Sequence, residues 1–310
     1  MKSLRRLSLL ALVLAFAQIV FGAIVRITGS GMGCGDHWPK CAGLWFPPHD
    51  RIDLIIEITH RYIALALSLV ILALVITAVR HKKKQGVGGP GGVFKPAIIA
   101  GVLVVTAALL GAITVKMALN PFIIATHLTI AMSLLATLAI ALSRAGGIAG
   151  AAELAGTSLR VFRSARGAVI LTLIVLVFGA LTANVPDAAA SCGGFPWCRT
   201  INGGGVPLAI QITHRILAFL LLGHLIGMTI SVGKRKEPRA VQNAVRFALG
   251  AAILQVVVAA GMIEMHFPPA FRSLHQAFGT LVWLSVVIVS ILATRGTHSE
   301  RAAAPMRNAA

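Results

Sequence analysis

Four histidines of this chain recur at matched places. His60 lies in Glu57-Ile58-Thr59-His60-Arg61 and His214 in Gln211-Ile212-Thr213-His214-Arg215. Each is followed one long segment later by a second histidine, His127 after Thr126 and His275 after Leu274. All four fall in the first turn or two of an apolar segment entering from the same side, so they share one depth. Ionisable residues at such depth are costly and mark function by default. Two facing imidazoles in an apolar bundle are what a six-coordinate heme iron requires, one nitrogen above and one below the ring. The order pairs His60 with His127 and His214 with His275. Zinc would demand three or four ligands per site, and only Glu57 lies at a depth to add one.

The copies differ at one telling position. Glu57 and Gln211 each stand three residues before a histidine, on the same helix face and one turn nearer the outer surface. A carboxylate in one copy and its neutral isostere in the other points to chemistry in the first half and an electron-transfer heme in the second. Beside a porphyrin edge, a carboxylate can accept a proton from bound water or stabilise developing positive charge. The plainer alternative is a Glu complementing the positive end of a helix dipole. Arg61 and Arg215 are suited to binding heme propionates through bidentate hydrogen bonds, or to anchoring at the interface.

Two cysteine pairs, Cys34 with Cys41 and Cys192 with Cys198, lie in long loops on the side where the histidine segments enter. Placed outside the cytoplasm, they are expected to form disulfides that staple each loop over its bundle. A redox relay is the sharper alternative, closest for the first pair beside Glu57. Trp38, Trp45 and Trp197 read as interfacial aromatics. His224, ten residues beyond His214 and so about 15 Å deeper, reads as a structural polar contact, with a proton relay as the alternative. His37, His49, His81, His266 and His298 fall in loops or tails.

The elements that must position these residues follow from composition. Of 310 residues, 57% are hydrophobic and 12% charged, against about 25% charged in soluble domains, and the mean hydropathy is +0.87. That excludes a soluble protein. The net charge of +19 is a matter of membrane topology rather than of nucleic acid. Apolar runs near residues 7–25, 55–79, 97–115, 122–143, 167–184, 208–231, 246–264 and 272–293 are each long enough to cross about 30 Å of hydrocarbon as a helix. Most of the 28 Lys and Arg fall in the connections 80–95, 144–166 and 234–246 and in the two tails. By the positive-inside rule, both termini face the cytoplasm and the cysteine loops lie outside. No small-residue cleavage site follows the first run, so it is expected to remain as an uncleaved span.

The expectation is therefore an all-α integral membrane protein whose eight transmembrane helices form two pseudo-twofold-related four-helix bundles, residues 1–150 and 151–310. Four spans per copy keep both copies in one orientation, related by an axis along the membrane normal. A Gly- and Ala-rich stretch at 145–166 links them on the cytoplasmic side.

Taken together, the residues resemble the heme A synthase family over nearly the whole chain. The resemblance rests on the run Arg26-Ile27-Thr28-Gly29-Ser30-Gly31-Met32 before Cys34, the Glu57–Arg61 box with its degenerate Gln211–Arg215 copy, the histidines at His127 and His275, and the two cysteine pairs. It implies a cell-membrane enzyme that oxidises the C8 methyl of heme O to a formyl group by successive hydroxylations, giving heme A. His60 and His127 would embrace the substrate heme, His214 and His275 would ligate a resident heme b, and Glu57 would be essential to turnover. The farnesyltransferase that makes heme O is the implied partner, membrane lipid the surroundings, and a quinone one candidate for the electron partner. The farnesyl tail favours an intramembrane site, since hydrating it would cost about 0.8 kcal/mol per methylene. Two other classes compete. A diheme quinol-linked electron-transfer cytochrome would use the same histidines but gives no reason for a carboxylate beside one heme only. A transporter would place its site near the midplane on broken helices.

Overall fold

The computed structural model describes residues 1–35, 37–148 and 157–307, with side chains described through Thr294. Eight helices long and apolar enough to span a membrane account for almost all of it. They are α1 (Lys2–Ile27), α2 (Ile52–Arg80), α3 (Phe94–Lys116), α4 (Pro121–Arg144), α5 (Leu159–Asn184), α6 (Gly205–Lys234), α7 (Arg239–Glu264) and α8 (Pro269–Arg307), the last with Pro269–Thr294 as its apolar part. The chain is a multi-pass membrane protein.

Local chemistry sets several ends. Gly29 at φ 70° follows the last turn of α1 and swings the chain into a 3-10 turn at Ser30–Met32. Asn120 caps α4 through its side chain, which accepts from the Phe122 N–H, and Pro121 occupies the first turn, where its missing donor costs nothing. Ser158 caps α5, accepting from the Val161 N–H. This cap starts α5 well before the apolar run at 167, so the end of the expected linker, residues 159–166, is helix. Hydropathy marks only the depth of hydrocarbon, whereas backbone hydrogen bonding continues into the interface. The expected boundary between residues 150 and 151 lies outside the described residues. The second cysteine loop adds a short antiparallel pair, β1 (Cys192–Gly193) and β2 (Thr200–Ile201), with Cys192 opposite Ile201.

In each half the packing order is the same. Helices α1 and α3 both pack on α2 and α4, and α5 and α7 both pack on α6 and α8. The halves meet where α4 lies against α5 and α8, and α1 against α8. Buried alanines let the backbones approach, among them Ala97 and Ala100 of α3, Ala165 and Ala168 of α5, and Ala248 of α7. Lipid gives no hydrophobic drive between helices, so small residues and close packing must hold the bundle. Outward faces stay apolar, as with Ile99, Val102, Val105 and Leu109 of α3. One interior cluster gathers Leu4, Ile71, Leu74, Met132, Leu135 and Leu138; it also takes in Trp283 and Val287 of α8. Trp283 donates its indole N–H to the Met132 carbonyl at 2.9 Å, fully buried, and so ties α8 to α4.

Candidate functional site: two buried imidazole pairs

Helices α2 and α4 carry His60 and His127, and the two rings lie within electrostatic range of each other. The His60 ring rests on Gly22 of α1, where an added Cβ would come within 3.0 Å of its Cε1. Phe21 stacks parallel to it, with centroids 6.3 Å apart. Gln18 Nε2 stands 3.2 Å from the ring Nε2 and donates to the His60 carbonyl at 3.0 Å. His127 lies beside Gly111 and the backbone of Ala107. The Nδ1 atoms of both histidines are buried without a hydrogen-bond partner, a costly state for a polar atom unless something binds there.

The second half repeats the arrangement on α6 and α8, with His214 and His275 again within range of each other. Gly179 of α5 takes the place of Gly22; its Cβ would fall 2.9 Å from His214 Cε1. His214 Nδ1 donates to the Val175 carbonyl at 3.1 Å. That bond leaves Nε2 with its lone pair free, the tautomer a metal-ligating imidazole uses. Gln255 of α7 holds His275, its Nε2 lying 3.0 Å from the ring Nδ1. A cavity of about 350 Å³ opens between these histidines, walled by apolar side chains and rimmed by Arg26, Arg215 and Arg272. Its size is within the range of small-molecule and cofactor sites, about 300–1,000 Å³. A flat, largely apolar, anionic macrocycle carrying a metal that His214 and His275 would hold suits this lining. Among the described residues no group of three or more His, Cys, Asp or Glu converges, so a zinc set of three or four such ligands has no donor group there.

Both cysteine pairs are disulfides, Cys34–Cys41 and Cys192–Cys198, and the two boxes dock their loops. Glu57 is 4% exposed. Its Oε2 accepts from the Cys34 backbone N–H at 2.8 Å, and its Oε1 pairs with Arg61 Nη2 at 2.5 Å. Arg61 also donates to the carbonyls of His37 and Lys40, each at 2.8 Å. Gln211 works with reversed polarity, donating to the Ala189 carbonyl at 2.9 Å and accepting from Ser191 Oγ at 3.1 Å. Arg215 donates to the carbonyls of Cys192 and Gly194, both at 2.8 Å. Both arginines thus bind loop carbonyls, and Arg215 lines the cavity as well. His224 bonds to Ser164 through both the hydroxyl and the carbonyl, at 3.2 and 3.0 Å. The loop tryptophans Trp38, Trp45 and Trp197 are all exposed. His81 closes the end of α2 through the Thr77 carbonyl, and His298 lies beyond the described side chains.

A family model described as cytochrome oxidase assembly protein (COX15-CtaA) matches residues 5–287. The chain belongs to this family. Among its relatives, the heme A synthase of Staphylococcus aureus strain bovine RF122 is 28% identical over 307 residues, covering 97% of this chain and 98% of that protein. The heme A synthase of Bacillus licheniformis is 27% identical over 285 residues, covering 89% and 91% of the two chains.

For this family member the sequence reading missed the side chains that hold the rings. Gln18 and Gln255 are uncharged amides inside apolar runs, a signal that was available, but their partners belong to other helices. Gly22 and Gly179 matter because an imidazole lies on them, which no pattern along one helix reveals. Arg26 entered only as the first residue of the run before Cys34 and Arg272 only as a charge near a span end, neither with a place in a ligand site.

Proposed function

We propose that this protein is a heme A synthase, oxidising the C8 methyl of heme O to a formyl group by successive hydroxylations within the membrane. The carrying observation is the duplicated, buried imidazole pair, of which only the first has a carboxylate one turn away on the same helix. In this reading residues 1–150 form the catalytic unit and 151–310 the unit that holds heme b.

Substrate heme O lies between His60 and His127. Gln18, Phe21 and Gly22 set the angle of the His60 ring. The farnesyl tail stays among the apolar outer faces of the helices. Glu57 stands between this site and the first disulfide loop. The Cys34 N–H and Arg61 orient its carboxyl group. Two of its roughly four lone-pair positions remain to take a proton from water or to face positive charge developing on the substrate. His214 and His275 ligate heme b, with Arg215 near its propionates; when bound, that heme supplies one-electron transfer. The termini are cytoplasmic and the disulfide loops extracytoplasmic, in the cell membrane. The farnesyltransferase that makes heme O is the natural supplier, because a product so apolar is best passed on within the bilayer, and a quinone suits an electron partner in the same phase.

Extraction of pigments from the purified protein, followed by chromatography, tests this reading. Heme O and heme A together with heme b are expected; heme b alone would make the protein a diheme electron-transfer cytochrome. Glu57→Gln should keep its low-spin heme spectrum and lose heme A, and an unchanged heme A yield would remove Glu57 from the chemistry.

A further inference from the structure

The cavity of the second half is not built by that half alone. Arg26, from the end of α1, lines it together with Leu128 of α4, the residue after His127. Arg26 donates to the Ala183 carbonyl of α5 at 3.2 Å and lies within electrostatic range of both Arg272 and His275. Arg272 stands three residues before His275, on the same face of α8. With Arg215, three arginines line one largely apolar cavity, and no carboxylate among the described residues lines it. Neither Arg26 nor Arg272 has an acidic partner among the described residues. Cations gathered at a largely apolar wall repel one another and lose hydration. A ligand bringing negative charge relieves both costs.

The first half has no match for two of these residues. Arg26 follows Gly22 by four, and the residue four after Gly179 is Ala183; Arg272 precedes His275 by three, and the residue three before His127 is Ile124. The first-half counterpart of Arg215, Arg61, is already paired with Glu57. We propose that Arg26, Arg215 and Arg272 form a cationic clamp for the two propionate carboxylates of the porphyrin in the second half. The unequal supply of arginines then decides which porphyrin stays and which exchanges. The second site grips its macrocycle at the ring and at both carboxylates, while the first grips mainly through its imidazoles and so releases product. Arg26 also couples the sites. Gln18, Gly22 and Arg26 form one stripe along α1, so filling the second cavity steadies the wall on which His60 rests.

This inference rests on the assignment of a heme to His214 and His275, and its test separates the two. Protein from heme-starved cells, in a His60→Ala/His127→Ala background, is loaded with hemin or with hemin dimethyl ester, and transfer to excess apomyoglobin is timed. Arg26→Gln and Arg272→Gln should each speed hemin loss about tenfold or more, the scale of a lost charge-assisted hydrogen bond. The ester should leave unsubstituted sites quickly and be unmoved by either substitution. Arg26→Lys should recover part of the slow hemin loss. Equal loss of hemin and ester before any arginine is changed would overturn the clamp, as would Arg26→Gln speeding both alike. The ester comparison needs no arginine variant to fold. If His214→Ala still holds its low-spin heme, the heme assignment itself fails; if it loses the heme while the arginine variants do nothing, only the clamp fails.

Discussion

A methyl group placed at Gly179 is the most direct probe of the second site. The added Cβ would lie 2.9 Å from His214 Cε1, 3.4 Å from Nδ1 and 3.7 Å from Nε2. Carbon–carbon contacts are favourable near 3.5–4.0 Å, so the ring must retreat by roughly 0.6 Å or more. The ring is also tied by Nδ1 to the Val175 carbonyl at 3.1 Å, so a retreat strains that bond or tilts the imidazole. Overpacking of this kind costs about 1–3 kcal/mol, which is roughly a 5- to 150-fold loss of heme affinity. The helix itself works the other way, since Ala is favoured over Gly by about 0.8–1.0 kcal/mol in a helix interior. Gly179→Ala should therefore fold normally and lose heme. Pyridine hemochrome content and the low-spin band measure the loss. Gly223→Ala on α6 is the control, because nothing lies within 4 Å of its added Cβ. Full pigment content and an unchanged rate of heme loss in Gly179→Ala would refute the placement of an iron ligand at His214.

The matching change Gly22→Ala, whose Cβ would come 3.0 Å from His60 Cε1, should lower heme A yield and leave the resident low-spin band in place. Trp283→Phe removes the indole bond to the Met132 carbonyl and should cost about 1 kcal/mol, read as a lower thermal midpoint in detergent; an unmoved midpoint would show that this bond does not hold the halves together. Replacing Cys192 and Cys198 by Ser should cost about 2 kcal/mol for so short a loop with pigment composition unchanged, whereas loss of heme A from the Cys34→Ser/Cys41→Ser protein with pigment still bound would establish redox work for the first pair. A reporter active only outside the cytoplasm should be silent when fused after α8 and active when inserted beside Cys198, and the reverse pattern would invert the topology.

Much of this protein was legible along the chain. Apolar runs bounded by charge gave eight helices because the bilayer imposes one length on every crossing and leaves the backbone no other way to satisfy itself. The repeat gave the four histidines, since a duplicated residue keeps its depth. The cysteines paired within their loops because close neighbours in sequence are close in space. Contacts between helices were not legible. Arg61 and Arg215 were read only against a ligand or the membrane interface, yet they bind carbonyls of the disulfide loops. The Glu57 and Gln211 difference stood out as a change of charge; only the folded chain shows it also as a change of hydrogen-bond polarity toward those loops. The placing of Arg26 in the cavity of the opposite half was likewise a tertiary decision. Lipid accepts almost any apolar surface, so the faces that helices turn toward one another are chosen by close packing, small residues and a few polar bonds between distant segments, and periodicity within one segment carries little record of them.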